Sequence, residues 1–482
     1  MLICGYYSAG ELAAGVIEMK PNASTAKNPG PASRRARLLL ILAAALLHVS
    51  VTATVFMIGR AGVLPGQFDQ NGLGTFASDG FMYQTEVLQL CGVLRNQGVR
   101  AWAGWPSQLH VRLYSLPVVA INGGSNFNIL TIEPLNLIYY LAILVLVFKI
   151  AAIVFGYRAA LMAAATVALW PSLLLHTTQL LRDPLLMAAF LLLILSITLC
   201  LKREYDWRRG ILIGACGTVA LVIIRVVRMP MWNLLWVIAF VALLLLMVRI
   251  VGRRRFLAGN ITCAIILIAG IIVTPYFQNA FRNQQIVKRP WASVPKAIPE
   301  VSVQKQIEKD RYGFGLQYGS SGQLVPSEAG SDIDIGVQFK SMSDIIRHVP
   351  RALVVGFFAP FPNMWLAAGK QVGVGGRLLS GFETLLSYLI ECLALVGLWR
   401  ERKHVSAWFL FLVITFGAVA LGLVVANIGA LFRLRYPFWA LLIVCGAGGA
   451  DYLFRRRGKS AGEGVSANHD QTFEESAGTI QS

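Results

Sequence analysis

Apolar runs about as long as a bilayer is thick recur along this chain, with arginine and lysine gathered at their ends. A hydrocarbon core of about 30 Å takes about 20 apolar residues per helix. Lipid offers no hydrogen-bond partner to an exposed backbone group, so such runs are helices. At 56% hydrophobic and 14% charged over 482 residues, the composition is far from that of a water-soluble domain. The fold class is an all-α polytopic membrane protein.

The placement of charge orders the runs. Arg34, Arg35 and Arg37 precede the first, about 38–58, which puts residues 1–37 in the cytoplasm under the positive-inside rule. Further spans fall at about 135–154, 159–177, 185–201, 210–224, 231–248 and 256–276. They complete a core over 38–276 that includes a first outside loop, 59–133. In this loop Trp102, Trp105 and Tyr114 suit the headgroup zone, and Leu113–Ile121 is apolar but too short to cross. A second outside region, 277–378, is polar with a Gly/Ser-rich middle. The C-terminal spans, at about 379–398, 406–426 and 436–453, lie within 379–457, and the tail 458–482 has a composition expected to be disordered.

The stretch 351–378 decides the topology. Residues 351–365 are apolar enough to suggest a span but contain Pro360 and Pro362. If they crossed, the clusters Arg400, Arg402, Lys403 and Arg455, Arg456, Arg457 would both lie outside, against the sorting rule. They read instead as an interfacial or re-entrant element, giving about ten crossings with both termini cytoplasmic.

A net charge of +19 raises nucleic acid as a partner. The basic residues sit mostly at span ends, however, and no recognition helix or RNA-binding motif is present, so the partner implied is the lipid bilayer and no nucleic acid. The seven cysteines form no C-x-x-C pair and read as small core residues.

With this orientation the unusual polar groups collect on the outer side. Asp79, Tyr83 and Glu86 have helix-compatible spacing and could share one face. With them come His176 and Gln179, Arg182 and Asp183, Arg225 and Arg228, and Arg433 and Arg435. Short outside loops normally avoid arginine, and a guanidinium fork suits phosphate. Headgroup snorkelling is the alternative for each arginine pair, and a helix-start acid the alternative for Asp183. His176 reads as a packed or capping residue. The single D-x-D, Asp332-Ile333-Asp334, reads as a solvated loop. No metal-ligand spacing occurs, so no cofactor is implied, and a divalent metal is compatible with the acids without being required by them. Arginines at the headgroup level could hold a lipid phosphate and meet the charge that develops on it, and a carboxylate could take the proton from an acceptor hydroxyl.

Four motifs carry a family resemblance. Asp79-Gly80-Phe81-Met82-Tyr83 places an acid four residues before a tyrosine. Trp170-Pro171-Ser172 leads to Arg182-Asp183-Pro184 between two spans. Gly210-Ile211-Leu212-Ile213-Gly214 leads to Arg225, and Arg433-Leu434-Arg435-Tyr436-Pro437 opens the last span. In this order they resemble the GT-C superfamily of polyprenyl-phosphate-sugar glycosyltransferases, such as protein O-mannosyltransferases and the lipid A aminoarabinose transferase. The likeness is best over about 38–230 and at the C-terminal motif. It implies a GT-C-like bundle of about ten spans with two large outer-face loops, in the bacterial cytoplasmic membrane. It also implies an inverting transfer from a polyprenyl-phosphate sugar to a glycan, lipid or protein acceptor of the envelope. Asp79 would be the base and Asp183 a second catalytic acid. Tyr83, Glu86, Gln179, Arg182, Arg225, Arg228, Arg433 and Arg435 would bind substrate. One departure is Gly80, where many relatives carry a second acid.

Two other functions fit parts of the pattern. A polysaccharide polymerase or O-antigen ligase would use outside arginines with a lipid-diphosphate donor. A lipid-linked glycan flippase would show charges in midplane helices and a repeat of helices, and neither is evident in the sequence.

Overall fold

The computed structural model describes residues 31–253, 257–282, 307, 311, 316–318, 324–326, 332–334, 336–366 and 373–456. The sequence readings for 1–30, for the tail from 458 and for most of 283–331 lie outside the described residues. The chain divides into a short unit, Met1–Leu40, and a large one, Ile41–Ser482, to which the packing below belongs.

The helices are α1 Pro31–Arg60, α2 Asp79–Gly104, α3 Leu109–Asn122, α4 Ile129–Val154, α5 Tyr157–Ala168, α6 Pro171–Thr177, α7 Asp183–Lys202, α8 Trp207–Val227, α9 Trp232–Arg253 and α10 Ala258–Arg282. After a three-residue antiparallel pair, Leu316–Tyr318 with Leu324–Pro326, come α11 Met342–Phe358, α12 Gly373–Arg400, α13 Val405–Val424 and α14 Ile428–Leu434. A last helix, α15, covers Tyr436–Arg456. Nine helices among the described residues are long and apolar enough to cross a membrane, or up to ten if the bent pair α5–α6 is one span. The protein is all-α and polytopic, as its sequence requires.

The α5–α6 bend has a local cause. Pro171 supplies no backbone N–H and disfavours helical geometry at Trp170, which is extended at φ −75°, ψ 113°. The two pieces meet at 65°. The open start of α6 is satisfied from another helix: Glu383 of α12, fully buried, accepts from Ser172 N at 2.6 Å and Ser172 Oγ at 2.5 Å.

The first loop is more helical than its sequence suggested. The helix that the spacing of Asp79, Tyr83 and Glu86 allowed is α2, which runs for 26 residues with a kink at Gly98, whose φ is +82°. The piece around Leu113–Ile121 belongs to α3, and Tyr114 is not a headgroup-zone ring. It is fully buried, with its hydroxyl 2.7 Å from Asn136 Oδ1 and 3.0 Å from Leu181 O.

Residues 351–358 form the second half of α11, which begins at a reciprocal Ser341/Asp344 capping box and is not among the crossing helices; 359–365, with Pro360 and Pro362, lie beyond its end and include a 3-10 turn at Pro362–Met364. Its buried face, with Ile345, Ala352, Val355 and Gly356, packs on α13. There the backbones touch: a Cβ at Gly356 would collide with Ala418 O, and one at Gly422 with Ala352 O. Asp332-Ile333-Asp334 is paired, not solvated. Asp334 takes both ends of the Arg351 guanidinium, at 3.1 and 3.2 Å, and Ile333 N donates to Ala426 O at 2.9 Å. Ile333 is buried with Val355, Val425, Ile428 and Leu431, so this segment straps the second loop to the start of α14.

Candidate active site

Asp79 and Asp183 occupy the first turns of α2 and α7, where the helix dipole favours negative charge. The two helix starts meet. Gly80 is buried, and a Cβ there would lie 3.4 Å from Leu180 O and 3.5 Å from Leu73, so a second acid at this position would be forced into that contact.

One guanidinium joins the acids. Arg433, near the end of α14, places Nη2 3.2 Å from Asp79 Oδ2 and Nη1 3.9 Å from Asp183 Oδ2. Arg228, just past α8, lies 3.9 Å from the other oxygen of Asp183. Arg182 also acts on Asp183 electrostatically. Four stretches far apart in sequence thus converge on one cluster. The side chain of Asp79 is 37% exposed and that of Asp183 15%. Asp79 is the open carboxylate and Asp183 the enclosed one.

Burial opposes the charge on Arg433, but Asp183 and then Asp79 outweigh it, and its pKa rises. Burial, with Arg182 beside it, brings Arg228 down to about 10 despite Asp183. Three guanidiniums against two carboxylates leave a positive excess, and two buried N–H groups, Arg433 Nη1 and Arg182 Nε, have no hydrogen-bond partner. The cluster therefore favours a further anion.

Tyr83 lies beneath, 1% exposed, its ring edge-on to His110 at 4.5 Å. Burial raises the Tyr83 pKa and lowers that of His110 to about 3, so His110 is neutral. Beside the cluster, a narrow crevice is lined by Leu173, Leu186, Met187 and Leu434, with Asp183 and Arg433 in its wall.

Other residues picked from the sequence lie differently. Gln179 is fully buried; its Oε1 accepts from Gly74 N at 2.8 Å and its Nε2 donates to Gly72 O at 3.3 Å. It ties the segment before Asp79 to the turn before Asp183. Arg435 is separated from Arg433: it is buried, donates to Ala359 O at 2.6 Å and Phe357 O at 3.3 Å, and so anchors the end of α11. Arg225 stacks over Trp232 at 5.0 Å. Glu86 lies half-buried two turns along α2 and is not part of the ion pairs around Arg433. His176 is packed, as expected, with its ring 5.1 Å from Phe76 and Nδ1 2.6 Å from Ser172 O. Sequence reasoning passed over His48, His110, Glu133 and Glu383. Glu133 and Glu383 are acids lying within apolar helices, which corrects the sequence reading that found no charges inside the spans. Among the described residues, no group of three or more His, Cys, Asp or Glu side chains could hold a metal ion.

No protein-family model matches the sequence, and no curated protein matches it. Among solved structures the chain is similar to the archaeal oligosaccharyltransferase AglB from Archaeoglobus fulgidus, in complex with an inhibitory peptide and a dolichol-phosphate. The TM-score is 0.49 and the identity 12%, over 88% of this chain and 52% of that one, so this chain spans about half the length of that structure. A likeness of this size adds nothing to the geometry above.

Proposed function

We propose that this protein is an integral-membrane glycosyltransferase of the GT-C type. In this reading it moves a sugar from a polyprenyl-phosphate donor to an envelope glycan, lipid or protein at the outer face of the cytoplasmic membrane. The observation that carries it is Arg433 shared between Asp79 and Asp183, with Arg182 and Arg228 beside them, at the wall of a narrow apolar crevice. A lipid phosphate has this same division, an anion at one end and hydrocarbon at the other. The family motifs in the sequence supply the reaction type.

Asp79, the open carboxylate, takes the proton from the acceptor hydroxyl while that oxygen bonds to the anomeric carbon. The bond from that carbon to the phosphate oxygen breaks on the opposite face, which inverts the configuration. The lipid phosphate leaves with one more negative charge. Arg433 and Arg228, held in place by Asp183, meet that charge with no rearrangement. Protonation of Asp79 also releases Arg433 from one carboxylate as the phosphate comes to need it. Tyr83 and Gln179 shape the site from beneath, and Glu86 and Arg225 remain candidates for contacts at its rim.

The test uses membrane-reconstituted protein, polyprenyl-phosphate sugars and an envelope extract as acceptor. Asp79→Asn should lower turnover by about 10²–10⁴-fold while binding of the lipid phosphate persists. Unchanged turnover would remove Asp79 as the base. Turnover with lipid-diphosphate donors alone would replace this reading with a polymerase or ligase.

A further inference from the structure

Inside the membrane-spanning part lies a polar constellation that the proposed chemistry does not use. His48 of α1 is fully buried, with Nδ1 2.7 Å from Glu133 Oε1 and Nε2 3.1 Å from Thr177 Oγ1. Thr52, one turn along α1, has its hydroxyl 2.8 Å from Glu133 Oε2. Ionisable groups at such depth are costly unless paired.

Donor counting fixes the protonation. The single hydroxyl proton of Thr177 goes to Leu174 O, 2.9 Å away, because a carbonyl only accepts. Thr177 Oγ1 therefore accepts from His48, and Nε2 carries a hydrogen. Nδ1 faces a carboxyl oxygen, so one proton lies between them. The pair is an imidazolium with a carboxylate or an imidazole with a carboxylic acid, and both are neutral overall.

Thr177 ends α6 and begins the turn that leads to Arg182 and Asp183. The same face of α4 holds the far side of that turn. Asn136, three residues after Glu133, donates to Gln179 O at 3.4 Å. Tyr114 bridges Asn136 and Leu181 O.

We propose that His48 and Glu133 are positioning residues whose one-proton clamp on Thr177 sets where the turn presents Arg182 and Asp183, and so how tightly the site holds a lipid phosphate. The inference rests on the lipid-phosphate reading above. The test is a double-mutant cycle in nanodisc-reconstituted full-length protein, with decaprenyl phosphate as the probe and amide hydrogen exchange of residues 177–183 as a second readout. His48→Gln or Glu133→Gln alone leaves one group without its charge or proton partner. Each should weaken binding by about tenfold and speed exchange in the turn. The double variant, with two amides able to bond one another, should return binding to within about threefold of the parent protein. A merely structural role would lower the unfolding temperature without moving Kd or the exchange of the turn, and that result overturns the proposal, as do additive losses in the double variant. If the parent protein does not bind decaprenyl phosphate, the functional reading is lost, and exchange in the turn alone then decides the clamp.

Discussion

At the residue scale, the two arginines of Arg433-Leu434-Arg435 have separate work. Spacing of two on a short helix turns their side chains about 200° apart, and Arg433 meets Asp79 while Arg435 meets the carbonyls of Phe357 and Ala359. Arg433→Gln should therefore weaken binding of a lipid phosphate, while Arg435→Gln should loosen α11, seen as faster proteolysis near residue 359. His110 gives a pH prediction. Above its ordinary pKa of 6.5, His110 is neutral whether folded or unfolded and contributes no pH dependence. Below 6.5 the unfolded chain takes a proton that the buried ring refuses until about pH 3, so stability falls as pH drops through that window. At pH 5 the loss is about 2 kcal/mol. His110→Phe should remove it, measured as a smaller drop in unfolding temperature between pH 7 and 5 in detergent. Arg433 drew notice because arginine runs against the bias of short outside loops, and the two acids because they stand in the motifs that carry the family resemblance. His110, inside a helix with apolar neighbours, does neither, and only the packing against Tyr83 singles it out.

At the element scale, the length of the apolar runs gave the crossing helices but not which of them touch. Gly356 and Gly422 allow α11 and α13 to touch backbone to backbone. Gly356→Leu should cost about 3 kcal/mol or more by overpacking. Gly375→Ala, near the start of α12 and with nothing within 4 Å of the added carbon, should leave stability unchanged or raise it by about 0.5–1 kcal/mol. Thermal unfolding in detergent separates the two; equal destabilisation would mean that α11 does not pack on α13 in this way. The Asp334–Arg351 strap could not be read from the sequence. A D-x-D among glycines and serines has the composition of a solvated loop, and its partner lies 17 residues away on a helix face.

At the scale of the whole molecule, the ion cluster constrains the topology. Groups that share one guanidinium lie on one side of the membrane, so the same parity of crossings must precede each of them. If the bent pair α5–α6 crosses, then one span precedes Asp79, three Asp183, five Arg228 and nine Arg433, all odd. If it does not, the counts are one, two, four and eight, and Asp79 is parted from the rest. If α11 crossed as well as the bent pair, ten spans would precede Arg433 and part it from both acids. If the nine long helices all cross, the ion pairs require the bent pair to cross and α11 not to, a requirement that agrees with the charge clusters but does not depend on them. Single cysteines at Ser78 and Met229, both exposed beside the cluster, should be labelled by an impermeant maleimide from the same side of sealed vesicles in a cysteine-free background. A reporter fused after Lys403, nearer the opposite end of α13, should read the other side, and the positive-inside bias makes that side the cytoplasm. Labelling of Ser78 and Met229 from opposite sides would break the parity, and with it the meeting of Asp79, Asp183 and Arg433 on which the site depends.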